Sequence, residues 1–150
     1  MPAPIPLHRY WNPGISDHFY TTNLSELGEG ANGWQLERTA CHVFANQESG
    51  TVPLHRYWNE ESGDHFYTTD FSELGEGKGG YAYEGVQCFV YPNGESAHSA
   101  GKAFDPAPLY RYFHAESGDH FYAIENPETD APQGYTPEGV QCYVLKASYD

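Results

Sequence analysis

The chain has 150 residues and a net charge of −14, and it is long enough to form one domain with a buried core. The negative charge disfavours nucleic acid as a partner, because it repels the phosphate backbone. No run of about 18 apolar residues occurs, so we expect no membrane insertion. Aromatic residues make up 16% of the chain, and this abundance favours strands over helices.

The amino-terminal sequence lacks the basic region and the apolar region of a signal peptide. We therefore expect a cytoplasmic or non-classically secreted protein, or the mature form of an extracellular one. The sequence leaves the choice among these locations, and the oligomeric state, open.

One sequence unit occurs three times along the chain. Pro-Leu-His-Arg-Tyr-Trp-Asn begins at Pro6 and again at Pro53, 47 residues later, and a variant of it begins at Pro108, 55 residues after that. The segment Asp-His-Phe-Tyr follows in every copy at the same intervals. Self-similarity of this kind indicates a repeat architecture.

The three copies cover about 6–47, 53–92 and 108–146. One copy alone is too short to bury a stable core, so we expect a single cooperative domain over 1–150. A run of small and polar residues at about 93–107 predicts an exposed loop between the second and third copies.

Each copy begins with a predicted hairpin. In the first copy, residues 7–11 alternate in polarity, residues 18–22 are aromatic and β-branched, and turn-forming residues lie between them. Asn23, followed three residues later by Glu26, then resembles a helix N-cap with a capping box, which predicts one short helical turn.

Two more strands are predicted in the second half of each copy. In the first copy they cover 34–37 and 40–45, and the other copies have equivalents at 81–84, 86–91, 135–138 and 140–145. About twelve strands in three equivalent units predict an all-β, pseudo-threefold β-trefoil-like domain with short helical turns. The alternative is three small sheets arranged radially.

Three cysteines recur at matching positions in the copies. An odd number excludes complete internal pairing, and no Cys-x-x-Cys motif is present. We expect these residues to be equivalent small apolar side chains of the core, not ligands of zinc. They are Cys41, Cys88 and Cys142.

The combination Arg-Tyr-x-Asn, Gly-Asp-His-Phe-Tyr-Thr-Thr and Gly-Tyr-x-x-Glu-Gly-Val resembles an uncharacterised repeat family of bacterial cell-surface proteins and fungal proteins. The resemblance covers nearly the whole chain and implies recognition of a surface or a sugar polymer. The first copy departs from the motif at Ile15-Ser16 and Arg38-Thr39, and the third at Ala123-Ile124, so unequal sites are expected. The hairpins more distantly resemble those of β-trefoil lectins, although the Gln-x-Trp signature of ricin-type lectins is absent.

We predict a non-enzymatic, lectin-like module with up to three shallow sites for glycans or cell-surface polysaccharide. Sugar recognition combines an aromatic ring that stacks on a pyranose with polar groups that bind its hydroxyls. Every copy offers an aromatic residue at the end of its first strand and Asp, His and Tyr in its second. The candidate ligand-binding residues are Trp11, Asp17, His18, Tyr20, Trp58, Asp64, His65, Tyr67, Phe113, Asp119, His120 and Tyr122.

Other interpretations of the repeated polar residues remain open. An Arg9–Glu37 ion pair and an Asp–His hydrogen bond would instead hold the hairpin against the later strands. The alternative function is a structural, defence or protein-interaction domain on the same scaffold. Paired carboxylates such as Asp17 and Glu37 could hydrolyse glycosides, but a catalytic site rarely persists in three copies. His8 and His18 with Asp17 could bind a metal, but the third copy has Tyr110 in place of His8. We therefore predict no catalytic residue, no metal and no cofactor.

Overall fold

The computed structural model describes residues 4–28, 30–100 and 105–146, and the protein is all-β. The described residues form ten strands, two short α-helices and two 3₁₀ turns. The helices are α1 (Gly94–Ala100) and α2 (Pro127–Asp130), and the 3₁₀ turns are Leu24–Glu26 and Phe71–Glu73. The strands are β1 (Ile5–Asn12), β2 (Asp17–Thr21), β3 (Gln35–Val43), β4 (Val52–Asn59), β5 (Asp64–Thr68), β6 (Gly77–Lys78), β7 (Tyr81–Val90), β8 (Pro106–His114), β9 (Asp119–Ala123) and β10 (Thr136–Leu145).

Each copy forms an antiparallel unit in which its first strand lies between the other two main strands. In the first copy, β1 pairs with β2 on one side and with β3 on the other. The predicted third and fourth strands are one continuous strand in every copy, so the first and third copies have three strands instead of the expected four, and the second copy has a fourth only through the short β6. Register shifts at Leu7/His8 and Arg9/Tyr10 show why, since bulges bend the pairing there without ending it.

The three units meet around a common centre. β3 and β10 join through the single pair Leu145↔His42, which gives the order β2-β1-β3-β10-β8-β9, and the second unit has the order β5-β4-β7-β6. Two isolated bridges link the second unit to its neighbours: Phe44↔Phe89 joins it to the first unit, and Tyr91↔Tyr143 joins it to the third. A β-trefoil arrangement is not confirmed, and the strands form one six-stranded sheet and one four-stranded sheet.

The segment between the second and third copies contains a helix where a loop was expected. Ser96 N–H donates to Asn93 Oδ1 at 2.9 Å, and α1 begins beside this cap. Ala97 is fully buried against an apolar cluster that includes Phe44, Tyr91 and Leu145. The prediction of an exposed loop is therefore wrong for 94–100, while 101–104 lie outside the described residues.

The predicted helical turn after the second strand is confirmed. Asn23 Oδ1 accepts a hydrogen bond from Ser25 N–H, as an N-cap does, but Glu26 does not complete a capping box. The Thr21 hydroxyl instead donates to Glu26 and accepts from the Asn23 N–H. The third copy begins α2 with the N-cap Asn126.

Equivalent side chains from all three copies form the main core. The three cysteines are buried there as free thiols, as expected, and burial raises the pKa of Cys41 to about 12. The repeated members of this core are Leu7, Leu54, Leu109, Tyr20, Tyr67, Tyr122, Cys41, Cys88, Cys142, Val43, Val90 and Val144.

No helix among the described residues is long and apolar enough to cross a membrane.

Candidate functional site

The second strands of the three copies lie at the centre of the molecule. All five residues of β2 are buried, and the same holds for β5 and β9. One edge of each strand pairs with the first strand of its own copy. The other edge faces the neighbouring copies, where backbone groups need partners because water is excluded.

A ring of tyrosines satisfies one set of these backbone groups. The Tyr67 hydroxyl accepts from the Tyr20 N–H at 2.7 Å and donates to the Tyr20 carbonyl at 2.8 Å. Tyr122 bonds to Tyr67 in the same way, and Tyr20 bonds to Tyr122, which closes the ring. The rings lie edge to face, with centroids 5.3 to 5.5 Å apart.

A second ring joins aspartates and histidines of different copies. Asp17 Oδ1 accepts from the His65 N–H at 3.0 Å, and Asp17 Oδ2 lies 2.6 Å from His65 Nδ1. Asp64 makes the same pair of contacts with His120, and Asp119 makes them with His18. The predicted Asp–His hydrogen bond therefore exists, but it links copies.

The three aspartates come together in the buried interior. One carboxylate oxygen from each of Asp17, Asp64 and Asp119 lies within 4.8 Å of the others, and this is the group of described residues best placed to hold a cation. The copies differ in whether a tyrosine hydroxyl donates a hydrogen bond to the aspartate of the same copy. Tyr81 donates to Asp64 and Tyr135 donates to Asp119, whereas the first copy has Trp34 at the equivalent position.

The buried carboxyl group of Asp17 carries a proton at neutral pH, because its pKa is strongly raised. Burial, together with the carboxylates of Asp64 and Asp119, raises the pKa of Asp17 to about 10. Burial and the nearby Arg56 charge lower the pKa of His65 to about 3, so the imidazole is neutral. The Asp17 carboxyl group can then donate to Nδ1 of His65, which leaves the imidazole proton on Nε2, 3.7 Å from Glu84.

The structure separates the twelve predicted site residues into two groups. The aspartates, histidines and tyrosines are buried, and their polar atoms bond to other copies. The predicted exposed grouping of Trp11 with Asp17 is not formed, because Asp17 has no exposed surface. Trp11, Trp58 and Phe113 are half-buried and stack on the histidine of their own copy, with ring centroids 4.6, 4.5 and 4.9 Å apart.

An open cleft of about 240 Å³ lies between the first and second copies. Aromatic, acidic and basic side chains line the cleft, and His65 is the only one of the twelve predicted site residues among them. The sequence analysis missed the others because they come from two copies and from five separate segments. The lining residues are Phe19, Glu26, Leu27, Trp34, Arg56, His65 and Glu84.

Arg56 organises the charges of this cleft. Its guanidinium carbon lies 4.8 Å from the centre of the Phe19 ring, in a cation–π contact between copies. Arg56 Nε bonds to Glu84 Oε1 at 2.9 Å, and Arg56 Nη1 reaches Glu26 Oε1 at 3.5 Å. The predicted Arg–Glu pair is thus confirmed, and the guanidinium also contacts the neighbouring copy.

The same arrangement recurs at the other two junctions, with differences. Between the second and third copies, Arg111 lies over Phe66 and pairs with Glu138 and Glu73. Between the third and first copies, Arg9 lies over Phe121 and pairs with Glu37.

No curated protein and no solved structure matches the chain. One family model, described as "Domain of unknown function (DUF5648)", matches residues 6–145, which include the equivalent segments of all three copies. The match covers far more than half of the chain. The protein therefore belongs to this DUF5648 family.

Proposed function

We propose that the protein is a non-enzymatic carbohydrate-binding module whose sites are the clefts between neighbouring copies. The supporting observation is the cleft between the first and second copies, where Trp34 and Phe19 lie beside Glu26 and Glu84. At about 240 Å³ it is smaller than the pockets of drug-sized ligands, which suits one or two sugar residues.

The lining of the cleft offers both kinds of contact that sugars need. Trp34 is half-buried and can present a ring to the C–H face of a pyranose. Glu26 and Glu84 each use Oε1 to hold Arg56, while Oε2 of each makes no hydrogen bond to any residue that the structure describes. These free oxygens can accept hydrogen bonds from sugar hydroxyls.

Glycoside hydrolysis is the enzymatic use that such a cleft could have, because two carboxylates face one space. One of them would have to be a proton donor near neutral pH. Glu26 and Glu84 both hold the same Arg56 guanidinium through Oε1, so each already serves as the partner of a positive charge. We therefore assign the pair to binding.

The repetition supports the same proposal. Related Arg–Phe and Arg–Glu contacts occur at all three junctions. Sites at several junctions of one body could engage several sugars of one polymer, and the high effective concentration strengthens weak individual contacts. This proposal places the binding surface at Trp34, Glu26, Glu84 and their counterparts, not at the residues predicted from the sequence.

A glycan array followed by calorimetry tests the proposal. We expect the intact protein to bind a neutral or basic glycan, and Trp34→Ala to weaken binding about tenfold at an unchanged melting temperature. Phe71→Ala is the matched control, because Phe71 is exposed and packs on His55 and Tyr83 outside the cleft. Failure to bind any glycan, or equal binding by Trp34→Ala, would contradict the proposal and favour the alternative, a structural or protein-interaction domain.

A further inference from the structure

The cleft between the first and second copies has an unequal number of positive and negative groups. We infer that this cleft prefers a saccharide bearing a protonated amine, such as a glucosamine oligomer, over a neutral or acidic saccharide. This inference rests on the proposed function, and it concerns the charges of Glu26, Glu84, Arg56 and His65.

The charge count of the cleft is negative. Glu26 and Glu84 contribute two negative charges, and Arg56 contributes one positive charge. The His65 side chain is only 8% exposed and its Nδ1 is held by Asp17 at 2.6 Å, so the charged groups on the open side of the cleft are the two carboxylates and the guanidinium. One negative charge is left uncompensated inside a chain whose net charge is already −14, so an anionic sugar would be repelled and a cation attracted.

The geometry leaves room for a cation on the open side of the cleft. Arg56 is only 15% exposed and holds both carboxylates from the protein side, whereas the side chains of Glu26 and Glu84 are 36% and 30% exposed. An ammonium group can therefore reach their Oε2 atoms from solvent. Trp34 adds an aromatic face, which attracts cations as well as sugar C–H groups.

The ion pairs at the other two junctions predict how many sites share this preference for an amine. Arg111 pairs with both Glu138 and Glu73, so the second junction has the same balance of charges. Arg9 makes one ion pair with an Asp or Glu among the described residues, with Glu37, so the third junction lacks the second carboxylate on its arginine. Two of the three junctions should therefore favour an amine.

Calorimetry on the intact protein with hexamers of glucosamine, N-acetylglucosamine and glucose tests the inference. At pH 6 and low salt we expect the glucosamine hexamer to bind about tenfold more tightly than the other two, with the difference shrinking at 0.15 M salt. Glu26→Gln should reduce the ratio of the glucosamine-hexamer affinity to the neutral-hexamer affinities about threefold or more, because it removes one negative charge from the cleft. The glutamine Oε1 can still accept the hydrogen bond from the Thr21 hydroxyl.

Two controls separate the cleft from general attraction to an acidic surface. Glu60→Gln removes one charge from an exposed turn between β4 and β5, and it should leave the preference unchanged. A lysine hexapeptide should bind more weakly than the glucosamine hexamer, because it lacks a pyranose to stack on Trp34. Equal effects of the two Gln variants, or equal binding of the peptide, would overturn the inference.

The outcomes also distinguish this inference from the proposed function. Equal or tighter binding of a neutral hexamer, lost in Trp34→Ala, would overturn the amine preference and retain the carbohydrate-binding function. Absence of binding by all three hexamers and by every glycan on the array would overturn both.

Discussion

At the scale of single residues, Trp34 occupies the position at which the other two copies have a tyrosine that donates to a buried aspartate. Asp64 and Asp119 receive hydroxyl donors from Tyr81 and Tyr135, and Asp17 has no such donor. Burial and the two neighbouring carboxylates raise the pKa of Asp17 to about 10. One proton is therefore retained in the interior under conditions in which an unfolded chain would release it.

This retained proton predicts how stability depends on pH. The unfolded Asp17 loses its proton near pH 4 and the folded one near pH 10, so this group makes stability fall as pH rises between those values. Folded His65 stays neutral down to about pH 3, so it makes stability fall as pH decreases below about 6.5. The two effects oppose each other between about pH 4 and 6.5, and of these two only the Asp17 effect remains above pH 6.5. Above about pH 8 the buried thiols act in the same direction as Asp17, because burial raises the pKa of Cys41 to about 12.

We expect Asp17→Asn to abolish the loss of stability between pH 7 and 8, because an amide mimics the protonated carboxyl group. Urea denaturation at several pH values measures this. The range ends at pH 8 because unfolded cysteines release protons above it, whereas burial raises the pKa of Cys41 to about 12. Asp64→Asn is the matched control, and it should destabilise at every pH, since its amide would face the hydroxyl donor of Tyr81. A wild-type protein with constant stability from pH 7 to 8 would contradict the prediction.

At the scale of strands, the structure solves the problem of three sheet edges that face one another in the interior. A strand edge carries unpaired N–H and carbonyl groups, which are costly when buried. Tyr20, Tyr67 and Tyr122 supply one hydroxyl for each edge, and Asp17, Asp64 and Asp119 supply carboxyl oxygens for the N–H groups of His65, His120 and His18. Side chains thus replace the backbone pairing that a closed sheet would provide.

Tyr67→Phe should therefore destabilise strongly. It leaves the N–H and the carbonyl of Tyr20 without partners, at a cost of about 2–4 kcal/mol. Tyr83→Phe is the control, because its hydroxyl bonds to His55 in a partly exposed position where water can take its place, and the expected change is below about 1 kcal/mol. Chemical denaturation followed by circular dichroism measures both, and similar changes in the two variants would argue against the edge-capping role.

At the scale of the whole molecule, the contacts among copies form closed cycles. Each Asp–His pair joins two different copies, and the three pairs together include every copy once as acceptor and once as donor of the backbone contact. Removing one copy breaks two of the three pairs and exposes the shared core. The stability of each copy therefore depends on the other two.

A fragment of residues 1–100, which lacks the third copy, should not fold cooperatively. His18 would lose Asp119 and Asp64 would lose His120, while the apolar side chains of the shared core would be exposed to water. Near-ultraviolet circular dichroism and thermal unfolding compare the fragment with the intact protein. A sharp unfolding transition in the fragment would show that two copies are sufficient, contrary to this expectation.

The sequence by itself determined the features that depend on neighbouring residues. The triplicate motif located the copies, period-two patterns and aromatic content predicted an all-β protein, and Asn23 predicted a helical turn. The Arg9–Glu37 pair and the buried cysteines also followed from recurrence of the same residues. The continuation of β3 through two register shifts could not be predicted, because bulges depend on the partner strand.

Only the tertiary structure decided which copies the repeated residues connect. Asp17 and His18 are adjacent in the chain, yet Asp17 bonds to His65 of the second copy and His18 bonds to Asp119 of the third. No local pattern encodes this, because identical copies offer identical partners and only their positions around the centre select among them. The cleft of Trp34, Glu26 and Arg56 also arises from that arrangement, since residues far apart in the chain meet only where two copies pack together.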